Sequence, residues 1–276
     1  MRAVLITGAS QGIGEAIALR LDGLGFHVFA GVRSDAAGQA LRRKGSPSLT
    51  PLQLDVTEPQ SIASTVATVE SRGPYEFVGL VNNAAVSTPG PLEFMPLDDV
   101  REQLDVNLFG PLAVTQAILP LIRQAGAGRI VNISSINGKL AQRYIGAYSA
   151  SKFALEGLSD ALRQELRPWG IRVVVVEPGA IETLIFQTSR QRGRALAQRL
   201  PPQARELYGD VINALLHRPG RTPRHALPPH FVARRVAHAL TARRPRARYA
   251  VGWDVRVALL LQRILPSSLL DWLLAR

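Results

Sequence analysis

Residues 2–24 read RAVLITGASQGIGEAIALRLDGL, and three segments within them decide the fold. Arg2 to Thr7 is a short apolar run suited to a buried strand. Gly8 to Gly14 then turns the chain in the pattern TGxxxGxG, set by Thr7, Gly8, Gly12 and Gly14. Ile13 to Leu24 carries apolar residues at helical spacing, and Gly25 stops the helix. Glycines let the backbone come close to a pyrophosphate. The helix that follows offers free N–H groups and the positive end of its dipole. Strand, glycine turn and helix in that order make a nucleotide-binding unit.

The same rhythm continues outward. Strand patterns cover His27 to Gly31, Leu49 to Leu54, Phe77 to Val81, Ile130 to Ile133 and Ile171 to Val176. Helical patterns between them cover Asp35 to Lys44, Gln60 to Arg72, Leu97 to Arg123 and Tyr148 to Arg167. This alternation predicts an α/β fold with a parallel sheet covered on both faces and right-handed crossovers. Ligands in such sheets bind beyond the carboxyl ends of the strands, and the polar motifs sit there. Val32 and Arg33 end the second strand. An acidic residue at that point accepts from a ribose 2′-hydroxyl, whereas Arg33 with Ser34 suits a 2′-phosphate, so NADP(H) is expected over NAD(H). Asp55 and Val56 end the third strand, and Asp55 is placed to accept from an adenine amino group. Asn82, Asn83, Ala84 and Ala85 end the fourth. Their amides fix neighbouring loops and a ligand, or simply cap a turn. Asn107, taken by itself, reads as a solvent-facing residue on its helix.

The stretch from Gly128 to Leu155 adds chemistry. Ser134 and Ser135 follow the strand, and Tyr148, Ser149 and Lys152 open the helix. Tyr148 and Lys152, four residues apart, share a helix face. A free tyrosine has a pKa of about 10, and a nearby ammonium favours its phenolate. A tyrosine so lowered, beside a serine hydroxyl, makes a proton donor and an oxyanion partner for a carbonyl oxygen.

With 276 residues, one domain over 1–276 is expected rather than two. The absence of cysteine excludes disulfides, thiolate catalysis and Cys-ligated metal. The five histidines show no ligand spacing, so no metal site is expected. The N-terminus has no h-region of signal-peptide length, and no stretch approaches the roughly 18 apolar residues of a membrane span. The net charge of +12 is uneven: from Arg190 onward there are 17 arginines against only Glu206, Asp210, Asp254 and Asp271. That is a solvated arginine-rich surface, or a basic face toward anionic lipid, phosphate or an acidic partner.

TGASQGIG, Asp55, NNAA, Asn107, Ser135, Tyr148, Lys152 and PGxxxT stand in the order and spacing of the short-chain dehydrogenase/reductase family, which the chain resembles over residues 1 to about 185. NNAA replaces the commoner NNAG. The resemblance implies one Rossmann-type, doubly wound parallel sheet of about seven strands, with a C-terminal helical lid. It implies a catalytic set of Asn107, Ser135, Tyr148 and Lys152. Tyr148 would be general acid and base, Ser135 would orient the substrate oxygen, and Asn107 would hold a relay water. Lys152 would bind the nicotinamide ribose and depress the Tyr148 pKa. The cofactor would lie against Thr7, Gly8, Ser10, Gln11, Gly12, Ile13, Gly14, Arg33, Ser34, Asp55 and Val56. Further on it would meet Asn83, Ala84, Ala85, Pro178, Gly179, Ile181 and Thr183. With EPGAIET, a basic variable segment and the ending YAVGWDVRVALLLQRILPSSLLDWLL, the later part looks like the retinol and hydroxysteroid dehydrogenase branch. That branch implies a bulky apolar alcohol or ketone as substrate, and the family a homodimer or homotetramer. With no aromatic-interleaved basic motif or helix-turn-helix signal, no nucleic-acid partner is expected. An epimerase, a dehydratase or a cofactor-sensing or nucleic-acid-binding module on the same fold are the rival readings.

Residues 180–229 lose the strand–helix rhythm and are expected to form the lid over the substrate. A helix over Pro229 to Ala242 and a seventh strand over Arg248 to Val251 follow. The apolar segment 254–274 suits three placements: on its own domain, on a partner subunit, or in a membrane interface as a peripheral contact of a cytoplasmic protein.

Overall fold

The structure, a computed structural model, describes residues 1–73, 75–217 and 222–274. Seven strands form one sheet: β1 (Arg2–Ile6), β2 (His27–Val32), β3 (Leu49–Gln53), β4 (Glu76–Asn82), β5 (Arg129–Ile133), β6 (Arg172–Pro178) and β7 (Arg248–Val251). Their order is β3-β2-β1-β4-β5-β6-β7, with every neighbouring pair parallel. The order reverses direction between β1 and β4, which opens a crevice at the strands' carboxyl ends.

Alternation along β1 shows how the faces are assigned. Val4 and Ile6 pack with Ile17 and Leu21 of α1 (Gly12–Asp22) and with Val232 and Val236 of α9 (His230–Thr241). Ala3 and Leu5 point the other way, onto Ile62 and Val69 of α3 (Pro59–Ser71) and Val114 and Ile118 of α5 (Gly110–Gln124). The period of two follows from the pleat, and both faces are apolar because both are covered. Helix α2 (Asp35–Arg42) flanks β3, and α6 (Gly146–Glu165) packs along β6.

A polar ladder crosses the second core layer. Asn82 Nδ2 donates to Asn132 Oδ1 at 2.9 Å and to Thr115 Oγ1 at 3.1 Å, and Asn132 Nδ2 donates to Ser159 Oγ at 2.8 Å. It ties β4, β5, α5 and α6 at one depth, where unpaired amides would be costly.

Three regions differ from the sequence reading. The helix expected over Leu97 to Arg123 is α4 (Leu97–Leu104) and α5 joined through a π-helical turn, Asp105–Phe109, in which Gly110 N–H reaches back to Asp105 O. By length and composition this continuous helix, Leu97–Gln124, is apolar enough to cross a membrane, contrary to the expectation of none. Its apolar residues are instead explained by the sheet, against which Val114, Ile118, Leu121 and Ile122 are buried. The irregular segment after β6 contains two helices, α7 (Ile185–Arg199) and α8 (Pro202–His217), with a kink at Tyr208. The C-terminal segment is α10 (Trp253–Ile264) and α11 (Ser267–Leu274). Pro266 separates them: it lacks an N–H and drives Leu265 to an extended backbone, φ −93° and ψ 141°.

Candidate active site

The glycine turn after β1 has little room for any other residue. Gly8 and Gly12 have φ of +65° and +58°, the left-handed region that side chains disfavour. A Cβ on Gly8 would lie 2.8 Å from Ala84 Cα, and one on Gly12 would lie 2.9 Å from Thr183 Cγ2. A Cβ on Gly14 would strike the Gly8 carbonyl. Thr7 and Asn83 clasp this turn to the end of β4. Thr7 Oγ1 accepts from Asn83 N at 2.9 Å and Ala84 N at 3.0 Å, while Asn83 Nδ2 donates to Thr7 O at 3.0 Å and Gly8 O at 2.9 Å.

A cavity of about 700 Å³ opens from this turn across the carboxyl ends of the strands. Gly8, Ser10, Gln11, Gly12, Ile13 and Gly14 form one wall. Arg33, Asp55 and Val56 line it beyond β2 and β3, and Asn83, Ala84 and Ala85 beyond β4. Ser135, Tyr148 and Lys152 face the same space, as do Pro178, Gly179, Ile181 and Thr183 after β6. Three expected residues do not line it. Thr7 is buried behind the turn it clasps. Ser34 caps α2 instead, accepting from Ala37 N at 3.4 Å. Asn107 is fully buried, not solvent-facing as its place in a helix-forming run led one to expect. The π turn swings it inward, where Oδ1 accepts from Val86 N at 2.8 Å and Nδ2 donates to Val86 O at 2.8 Å and Ser151 Oγ at 3.0 Å.

Ser135 caps a short 3-10 turn, Ile136–Gly138, accepting from Asn137 N at 3.1 Å, and its hydroxyl hydrogen-bonds the Tyr148 phenol. Burial pushes the Tyr148 pKa up, and the Ser135 bond pulls it down. The expected depression of the phenol by Lys152 is therefore not the ruling effect here. The reason is geometric: Lys152 Nζ donates to Ile133 O at 2.9 Å and lies 5.8 Å from the Tyr148 ring centroid. Lys152 itself is lowered by burial to about 8, against the opposing charge of Glu156. Glu156 stands one helical turn further along the same face of α6. Asp55 is held below the usual carboxylate range, chiefly by the Thr57 N–H at 3.0 Å, with burial opposing and the Thr57 hydroxyl and Arg33 assisting.

Several groups at the cavity carried no local signal in the sequence. Arg192 of α7 makes a forked ion pair with Glu102 of α4 at 2.7 and 2.8 Å, and both line the cavity. Arg199 pairs with Asp99 at 3.0 Å, and Tyr208 OH donates to Glu93 at 2.7 Å. Leu196, Ala197, Leu200, Ile212 and Leu215 of α7 and α8 form a further apolar cluster with Met95 and Ala147. Helices α7 and α8 are thus fastened beside the cavity by both charge and packing.

Residues 2–193 match the family described as short chain dehydrogenase. Human retinol dehydrogenase 5 (Homo sapiens) is 40% identical over 275 residues, 97% of this chain and 86% of that protein. Human 17-beta-hydroxysteroid dehydrogenase type 6 (Homo sapiens) is 36% identical, over 99% of this chain and 87% of that protein. Among solved structures, a short-chain dehydrogenase from Streptomyces avermitilis aligns with a TM-score of 0.73 and 30% identity, covering 95% of each chain. A short chain dehydrogenase/reductase from Burkholderia phymatum, in complex with NAD, aligns with a TM-score of 0.78 and 25% identity, over 94% of this chain and 92% of that one. Sheet order, glycine turn and these likenesses agree: the chain is an oxidoreductase of the short-chain dehydrogenase/reductase family, in its retinol and hydroxysteroid dehydrogenase branch.

Proposed function

We propose that this protein is an NADP(H)-preferring oxidoreductase acting on a carbonyl or alcohol carbon of a bulky apolar substrate, of retinoid or hydroxysteroid type. One observation carries the reading: Ser135, Tyr148 and Lys152 face the same cavity as the glycine turn. The cradle fits a dinucleotide: Gly8, Gly12 and Gly14 line the cavity with bare backbone, and a Cβ on any of them would collide with the protein around the turn and distort it. A bound nicotinamide supplies the hydride. Tyr148 gives the proton to the substrate oxygen in reduction and takes it in oxidation. Ser135 holds that oxygen, and Lys152 binds the ribose hydroxyls. Asn107 acts through position, since its amide fixes Val86 and Ser151. Leu184, Ile185, Phe186 and Leu215 wall the substrate end beneath the lid of α7 and α8. The retinol and 17-beta-hydroxysteroid named in the relatives are apolar alcohols of that kind. A screen of such alcohols and their ketones with both nicotinamides tests the reading. No stoichiometric change in nicotinamide absorbance with any of them would overturn it.

Arg33 supports the cofactor preference: among the described residues it is the cation lining the cavity at the end of β2. Arg33→Ala is expected to lower kcat/KM with NADP(H) about 10- to 100-fold, the worth of a charge-assisted bond, and to leave NAD(H) nearly unchanged. Equal losses would remove the assignment. Lys152 loses its positive charge as the pH rises through about 8, so carbonyl reduction should fall off above that pH. Glu156 raises the Lys152 pKa. Glu156→Gln should therefore shift this alkaline limb downward; a pH–rate profile with an unmoved limb would break the link.

Homodimer or homotetramer assembly is proposed through the outer faces of the long helices, where Phe109 and Phe153 are exposed. A peripheral membrane contact is proposed through α10, whose Trp253, Val257, Leu260 and Ile264 are exposed on one helical face.

A further inference from the structure

The arginine excess of the last third plays little part in the catalytic cavity. Much of it gathers elsewhere. A second cavity, of about 1020 Å³, is lined by Arg235 of α9, Arg246 and Arg248 at β7, and Arg256 and Arg263 of α10, with Lys139. Arg256 and Arg263 are two turns apart, so they project from one side of α10.

The floor of this cavity is balanced within itself. Glu156 pairs with Lys139 at 2.9 Å and Arg248 at 3.1 Å. Asp160 pairs with Arg248 and Arg163, each at 2.6 Å, and Glu177 lies 3.4 Å from Arg248. Burial, and then the charge of Glu156, push Glu177 up to about 7, which weakens the negative charge there further. The mouth is different. Arg235, Arg246, Arg256 and Arg263 line it with exposed side chains, and among the described residues none of the four side chains has an ion pair. Four like charges around one opening repel each other and raise the local positive potential. Guanidinium forks match phosphate oxygens in pairs, which makes a phosphate the anion best suited to several of them at once.

We propose that this cleft between α9, β7 and α10 is a binding site for a phosphate-bearing anion, separate from the catalytic cavity. The ligand carries a phosphomonoester or pyrophosphate group, either on a soluble molecule or on the headgroup of a membrane lipid. The exposed apolar side of α10 borders the cleft and suits the second source.

The test uses the full chain and an Arg256→Ala/Arg263→Ala variant, each with saturating nicotinamide dinucleotide present so that the glycine turn is occupied. Inorganic pyrophosphate is titrated calorimetrically. Vesicles of phosphatidylcholine, with or without a phosphoinositide carrying a phosphomonoester, are tested by co-sedimentation. Saturable pyrophosphate binding that persists with the dinucleotide site filled and weakens at least tenfold in the double variant is expected. Co-sedimentation only with the phosphoinositide vesicles, competed by pyrophosphate and lost in the double variant, assigns the lipid source. Binding without any gain from the vesicles assigns the soluble source. Turnover of the double variant should match that of the parent. No saturable binding to either probe, or equal binding by parent and double variant, overturns the site.

Discussion

Tyr148→Phe is expected to lower carbonyl reduction by about 10²- to 10⁴-fold, the usual worth of a positioned proton donor. The substitution removes one oxygen and keeps the ring. Lys152 still donates to Ile133 O, and Ser135 still caps its turn, so the cavity keeps its shape. Cofactor affinity should therefore change little, which nucleotide fluorescence titration measures alongside steady-state turnover. Loss of both would point to a collapsed site. Turnover equal to the parent's would take the proton-transfer role away from this residue.

The second large effect falls on stability. Asn107→Leu leaves the Val86 N–H and C=O without the amide that now bonds both. Val86 is half-buried and lines the cavity, so each group costs toward the low end of the about 1–3 kcal/mol of a buried unpaired group, and the pair on the order of 2 kcal/mol. That is an appreciable part of the roughly 5–15 kcal/mol available to a domain. Ser151 also loses a donor, so the start of α6, which carries Tyr148 and Lys152, loosens with it. Chemical denaturation should show the midpoint falling. A variant as stable as the parent would mean that Val86 finds other partners.

The sheet was legible in the sequence because parallel strands covered on both faces are plain apolar runs, as in β1, β2 and β6. Their ends shifted by a residue or two, as with β2, which includes Val32. The glycine turn was legible because few other residues tolerate the backbone of Gly8 and Gly12. The polar residues after each strand were legible because this topology puts ligands there. What escaped depends on partners far along the chain. Asn107 meets Val86 and Ser151, 21 and 44 positions away, and nothing near it in the sequence says that it is buried. Arg192 and Arg199 find Glu102 and Asp99 at separations of 90 and 100 residues. An arginine-rich stretch reads as solvated surface until such partners are placed. The Lys152 charge escaped for another reason: its proton is directed by the Ile133 carbonyl, and a spacing of four residues does not encode that.

The π turn makes chain length a determinant of this site. Gly110 bonds to Asp105, five residues back, so Asp105–Phe109 contains one more residue than an ordinary helical turn requires. Each residue advances a helix by about 100°. Removing one here would change the phase between α4 and α5. Either Asn107 would swing away from Val86, or the seam of Val114, Ile118 and Leu121 would rotate off the sheet. A single-codon deletion in this stretch therefore strikes either the catalytic crevice or the core, although no other side chain is changed.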